Sequence, residues 1–122
     1  METTTTNDTE ALIISTALDY YDGWFDGSPD RMERALHSEL AKRAIEPDDS
    51  IETLSAAQMI DATAEGFGRK RDPGDRNIRV SVDHIHGSIA TATVTSAVYV
   101  DYLQLVRIGS EWKILNVLWA RA

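Results

Sequence analysis

Cysteine is absent from the sequence, which excludes a disulfide framework, thiolate catalysis and a thiolate metal site. No apolar run approaches the roughly 20 residues that a membrane-spanning helix needs. The opening Met-Glu-Thr-Thr-Thr-Thr-Asn-Asp has neither the basic start nor the apolar stretch of a signal peptide. The expectation is a cytoplasmic location with no membrane partner. Basic side chains are scarce: 12 Lys and Arg stand against 20 Asp and Glu, for a net charge of −8. That balance argues against a nucleic-acid partner, because phosphate binding wants a basic face. A Gly-rich phosphate loop is missing too, since Gly66 and Gly68 end a helical pattern and do not join a strand to a helix.

Histidine is also sparse. His84 and His86, two apart in a strand pattern, point the same way, but no third ligand stands in a recognisable motif and no His-Glu-x-x-His is present. No metal and no other cofactor is expected. His37 follows a short helical segment and reads either as an acid–base group or as a loop or cap histidine.

What the sequence does have is pattern. Residues 1–7 read as a disordered polar tail and residues 8–122 as one domain, a length that supports a single core. Asn7 with Glu10 resembles a capping box, and Ile14, Ala17, Leu18, Tyr21, Trp24 and Phe25 form an apolar stripe at helical spacing to about Asp26. Ser28-Pro29 starts a second helix ending near His37, and Ser55 with Gln58 caps a third that carries Met59, Ile60, Thr63 and Phe67 inward. A short strand is expected over Leu40–Ile45. Three longer stretches then follow, 77–86, 89–101 and 99–108, and a last strand runs from Glu111 to Trp119. The turns fall at Gly87-Ser88 and Gly109-Ser110.

The order predicts an α+β fold, with three N-terminal helices packed on a strongly curved antiparallel sheet. Long strands that wrap a helix must bend, commonly through bulges. The result is a cone-like barrel with an internal pocket. Period-two alternation puts Asp101, Leu103 and Leu105 on one face of their strand. In the last strand Lys113 should seek water, which places Trp112, Ile114, Asn116 and Leu118 inside. Leu115, Val117 and Trp119 then lie on an outer face that is itself apolar, so a homodimer through that face is expected.

Two stretches carry a family resemblance. One is Tyr20-Tyr21-Asp22-Gly23-Trp24 with the segment from Met32 to Arg43; the other is Val100-Asp101-Tyr102-Leu103-Gln104-Leu105 through Trp112-Lys113-Ile114-Leu115-Asn116. The chain resembles the nuclear transport factor 2-like (SnoaL-like) superfamily, which includes ketosteroid isomerase, and within it the putative lumazine-binding branch. The family pattern has Pro at the position of Ser38. The resemblance implies a cone-shaped α+β barrel with a deep pocket, and dimers through the outer sheet face. It selects no particular ligand.

The candidate chemistry follows from polar groups on apolar faces. Asp101 is either a general base or raised-pKa acid, or a structural carboxylate that holds a Tyr hydroxyl. Tyr21 is either an oxyanion donor or a packed phenol. Asp101, Tyr21 and His37 are the catalytic candidates; Tyr20, Trp24, Met59, Phe67, Leu103, Trp112 and Asn116 are the ligand-binding candidates. The reading is a small-molecule pocket protein for an organic ligand. As an enzyme it would run cofactor-free acid–base isomerisation, dehydration or cyclisation on a small apolar or cyclic substrate. The alternative is a non-catalytic ligand-binding or dimerisation module.

Overall fold

Helix α1 (Glu2–Asp26) is the long axis on which the remaining elements are laid. The structure is a computed structural model that describes the backbone of residues 2–122 and the side chains of residues 8–122. The side chains of the expected disordered tail, residues 1–7, lie outside the described residues, and with them the Asn7 half of the Asn7–Glu10 capping box. The α1 backbone is already helical ahead of Asn7. Its buried face is Ile13, Thr16, Ala17, Tyr20, Tyr21 and Phe25. Ile14 and Leu18, expected inside, are only half-buried. The stripe is thus rotated by about one residue, and Tyr20 joins Tyr21 on the inner side.

Gly27, at φ 69°, lets the chain turn out of α1, and Ser28 caps α2 (Pro29–Ala35) by accepting the Arg31 amide. Pro29 at the first helical position loses no intrahelical bond. The chain then passes directly into β1 (Leu36–Ile45), so His37 lies on a strand rather than in a loop. A turn leads to β2 (Ile51–Leu54), and Ser55 with Gln58 forms the expected capping box of α3 (Ala56–Ala64). A single 3-10 turn follows at Arg69–Arg71.

The second half is β3 (Arg79–His86), β4 (Ile89–Thr95), β5 (Tyr99–Ile108) and β6 (Glu111–Arg121). Gly87 and Gly109 make the two expected tight turns, each with positive φ. The run expected to continue from Ile89 to Asp101 is instead cut after Thr95. There Ser96 Oγ accepts the amides of Val98 and Tyr99, at 3.2 and 2.9 Å, and turns the chain into β5. A serine hydroxyl that captures nearby amides competes with the strand ladder.

The sheet has six strands in the order β2-β1-β6-β5-β4-β3 and is curved but unclosed. It is mixed, not wholly antiparallel, because β1 runs parallel to β6 while every other pair is antiparallel. The parallel pairing arises because β1 comes before the hairpins and its partner comes last. Helix α1 packs on β3 and β6, and α3 on β1. Between helices and sheet sit Ile13, Phe25, Met32, Val94, Leu103, Leu105 and Ile114, all essentially dry. Each such side chain contributes about 1.5–3 kcal/mol by leaving water. No helix among the described residues is long and apolar enough to cross a membrane.

One irregularity decides what faces inward. The β5–β6 register pairs Leu105 with Ile114 but Gln104 with Asn116, so Leu115 is an extra residue on β6. A bulge of this kind reverses every later side chain. Trp112 and Ile114 are buried as expected. Beyond the bulge the faces swap: Val117 is buried and Trp119 turns inward, while Leu118 is 54% exposed. Asn116 lies on the outer face, where its amide donates to Gln104 Oε1 at 3.0 Å.

Candidate functional site

A cavity of about 540 Å³ opens between α1, α3 and the concave face of the sheet. Trp24, Met59, Phe67, Leu54 and Trp119 give it apolar walls, and Tyr20, Tyr21, Tyr99, Asp101 and Lys42 supply its polar groups. Half-buried Glu46 and the exposed residues Pro47, Glu52, Arg71 and Arg121 lie at its mouth.

Asp101 forms the floor. It sits on the inner face of β5, 2% exposed, between Tyr99 and Leu103. Helix α1 brings two consecutive phenols to it: Tyr20 donates to Oδ2 at 2.7 Å and Tyr21 to Oδ1 at 2.5 Å. The rings meet edge to face, with centroids 5.5 Å apart. Neighbouring helical residues diverge by about 100°, so one carboxylate reaches both only by standing between them. Burial, then the charge of Asp101 and the bond to it, push both phenols well above their ordinary value. They stay protonated as donors to the carboxylate, and charge-assisted bonds of this length are among the stronger ones in proteins.

Lys42 forms one wall. On β1 the inward residues alternate as Leu40, Lys42 and Ala44. Lys42 is only 9% exposed, and its Nζ has no hydrogen-bond or ion-pair partner among the described residues. It stands over three rings instead, 5.0 Å from the centroid of Tyr20, 5.1 Å from Trp119 and 5.8 Å from Trp24. Burial pushes the Lys42 amine below the usual lysine value, and the charges of Asp101 and Glu52 offset part of that. Aromatic faces stabilise an ammonium by about 0.5–2 kcal/mol each but accept none of its three N–H groups in a conventional bond. The indole Nε1 of Trp119 is likewise buried without a hydrogen-bond acceptor. Trp24 Nε1, in contrast, donates to the Tyr99 hydroxyl at 3.2 Å.

Of the expected site residues, Tyr20, Tyr21, Trp24, Met59, Phe67 and Asp101 come together around this cavity. The others do not. Trp112 and Leu103 are core residues, 3% and 1% exposed, and neither lines the cavity. Asn116 is carried to the opposite face of the sheet by the Leu115 bulge. His37 sits near the start of β1, where its Nδ1 accepts the Glu39 amide at 3.0 Å, and it lies away from the cavity. His84 and His86 also sit on the outer side, in a shallow groove with Gln104 and Asn116. Lys42 is the residue that sequence reasoning missed, and Trp119, expected on the outer sheet face, is the one it misplaced. The alternation of Leu40, Lys42 and Ala44 was a readable signal for the first, and nothing in the sequence marks the bulge that delivers the second.

The family model described as Putative lumazine-binding matches residues 8–120. The chain belongs to that family. No curated protein matches the sequence. Among solved structures, an NTF-2 like protein of unknown function from Silicibacter pomeroyi DSS-3 superposes with a TM-score of 0.76 at 13% identity, covering 96% of this chain and 98% of that one. A similar protein from Shewanella baltica OS155 gives 0.74 at 13% identity, with 94% of each chain covered. One with a cystatin-like fold from Novosphingobium aromaticivorans gives 0.73 at 12% identity, covering 98% of this chain and 86% of that one. At such identities the likeness is one of fold: the nuclear transport factor 2-like cone. Family and fold together make this a ligand-binding pocket protein.

Proposed function

We propose that the cavity binds a small, flat, mostly apolar organic molecule that presents a hydrogen-bond acceptor to Lys42. The observation that carries this is the partnerless Nζ of Lys42, held nine-tenths buried among Tyr20, Trp24 and Trp119 on the wall of an open cavity. A buried amine without an acceptor is costly, and a ligand that supplies one removes the cost. Apolar walls with a few convergent polar groups are the usual make-up of a small-molecule site.

Cofactor-free acid–base chemistry on such a ligand is the second reading, favoured because Asp101, Tyr20 and Tyr21 line the same cavity. Both phenols already donate to Asp101, so neither hydroxyl is free to donate to a substrate oxygen. That bonding supports binding ahead of turnover, and it gives Asp101 the structural role in the resting site.

The test is a thermal-shift screen of flat aromatic and heteroaromatic molecules against the wild type and Ala44→Phe. Ala44 is 7% exposed and lines the cavity, so a phenyl group there fills it. Molecules that stabilise the wild type should lose their effect in the variant. Stabilisation that persists undiminished in Ala44→Phe would overturn the cavity as the site.

The homodimer belongs to the same proposal, with its surface redrawn. The bulge removes Val117 and Trp119 from the outer face and leaves Tyr102, Leu115 and Leu118 there, Tyr102 being 58% exposed. Leu118→Glu should then shift a dimer to monomer in light scattering. A wild type that is monomeric at micromolar concentration removes the dimer.

A further inference from the structure

We propose that Lys42 is an amine nucleophile that captures an aldehyde or ketone in the cavity as an imine. This rests on the reading of the cavity as a ligand site and names the chemical class it takes. Lysines become nucleophilic where a hydrophobic pocket desolvates them. The surroundings of Lys42 meet that description on each side. Helix α1 presents the rings of Tyr20 and Trp24, and β6 presents the ring of Trp119. The charged groups that act on it are Asp101 from β5 and Glu52 from β2, and neither reaches hydrogen-bonding distance of Nζ. Asp101 is in addition bonded by two phenols, one on each carboxylate oxygen.

The other two lysines differ. Lys113 donates to the Arg34 carbonyl at 2.6 Å and pairs with Glu111 at 3.2 Å, which ties its Nζ down. Lys70 is exposed beside Phe67, in a setting where water stabilises the ammonium. Only Lys42 combines a free Nζ, apolar surroundings and a cavity large enough to admit a carbonyl compound.

The step balances without a further reactant. The neutral Lys42 amine attacks the carbonyl carbon, and the C=O π pair becomes the lone pair of the new alkoxide. One amine proton moves to that oxygen and gives a carbinolamine. The C–O bond then breaks, the second amine proton leaves with the oxygen as water, and the nitrogen lone pair closes the C=N bond.

The experiment uses the full chain, benzaldehyde as probe and cyanoborohydride to lock any imine as a secondary amine, with peptide mapping by mass spectrometry over time at neutral pH. Lys42 should be benzylated about tenfold or more faster than Lys70, as a desolvated lysine outpaces a solvated one. Lys42→Arg should keep the labelling of Lys70 and Lys113 and lose the fast site. Labelling of Lys70 or Lys113 as fast as Lys42 overturns the inference. Binding of an apolar fluorescent dye, compared between wild type and Ala44→Phe, separates the two readings. Dye bound in the cavity with no fast labelling of Lys42 sinks the imine alone; no dye and no fast labelling sink the cavity reading with it.

Discussion

Removing the two phenols that hold Asp101 should cost more together than the sum of their separate losses. Tyr20 and Tyr21 donate to different oxygens of one carboxylate, at 2.7 and 2.5 Å, in a site where Asp101 is 2% exposed. A hydrogen bond to a charged group is worth about 1.5–3 kcal/mol net. Tyr20→Phe or Tyr21→Phe alone should therefore cost about 2 kcal/mol, because Asp101 keeps one partner and the ring still packs. In the double variant Asp101 is a buried charge with no donor, and losing the second bond then costs about 3–5 kcal/mol in place of about 2. The total should approach about 6 kcal/mol, a large part of the roughly 5–15 kcal/mol stability of a typical domain. Adding Asp101→Asn to the double variant should recover part of the loss, because the unpaired charge is gone. Urea unfolding of the wild type, both singles, the double and the triple, with coupling energies taken as a thermodynamic cycle, measures this directly. Strict additivity of the two phenylalanine substitutions, or no recovery in the triple variant, would refute the account of Asp101 as a carboxylate held by both hydroxyls.

Three further outcomes are expected. Lys42→Met should stabilise the protein at pH 7, because it removes a desolvated amine. The folded-state value of Lys42 is depressed, so the unfolded chain binds more protons in the interval below about pH 10, and the gain should shrink as the pH rises toward that value; a gain that grows with pH would contradict it. Arg76→Ala should cost about 2–3 kcal/mol in chemical denaturation and lose much of that penalty in high salt, because Arg76 ties Asp22 and Asp26 of α1 to Asp72 at 2.9, 2.7 and 2.9 Å and lies over the Phe25 ring. Gly68→Ala should cost about 1–3 kcal/mol and weaken ligand binding in the same thermal-shift assay, because a Cβ at Gly68 would collide with the Trp24 carbonyl and indole that wall the cavity.

The parts of the fold that were legible in the sequence are those set by local chemistry. Ser28-Pro29 and the Ser55–Gln58 box start their helices by satisfying exposed amides, and Gly87 and Gly109 turn the hairpins by taking positive φ. Asp101 was readable for a similar reason: it alternates in phase with Leu103 and Leu105 on a strand that keeps its register with β4 throughout. The break at Ser96 escaped because a β-branched run hides it, and a single hydroxyl decides between continuing and turning there. The parallel β1–β6 pairing escaped because adjacency of the first and last strands is a property of the whole sheet and leaves no local mark.

The site itself divides along the same line, and the division explains why its most unusual residue was missed. Three elements far apart in the chain meet at Lys42: α1 through Tyr20 and Trp24, β1 through the lysine, and β6 through Trp119. The first two are in phase by simple periodicity. The third depends on the extra residue at Leu115, since without it Trp119 would continue the outward face of Lys113 and Leu115 and the ring beside Nζ would be lost. The bulge thus performs two exchanges at once: it sends Asn116, a neutral amide, out to Gln104 and brings an indole in against the amine. A ring offers Nζ only its face, and leaves the amine open to a carbonyl compound that enters from the mouth of the cavity.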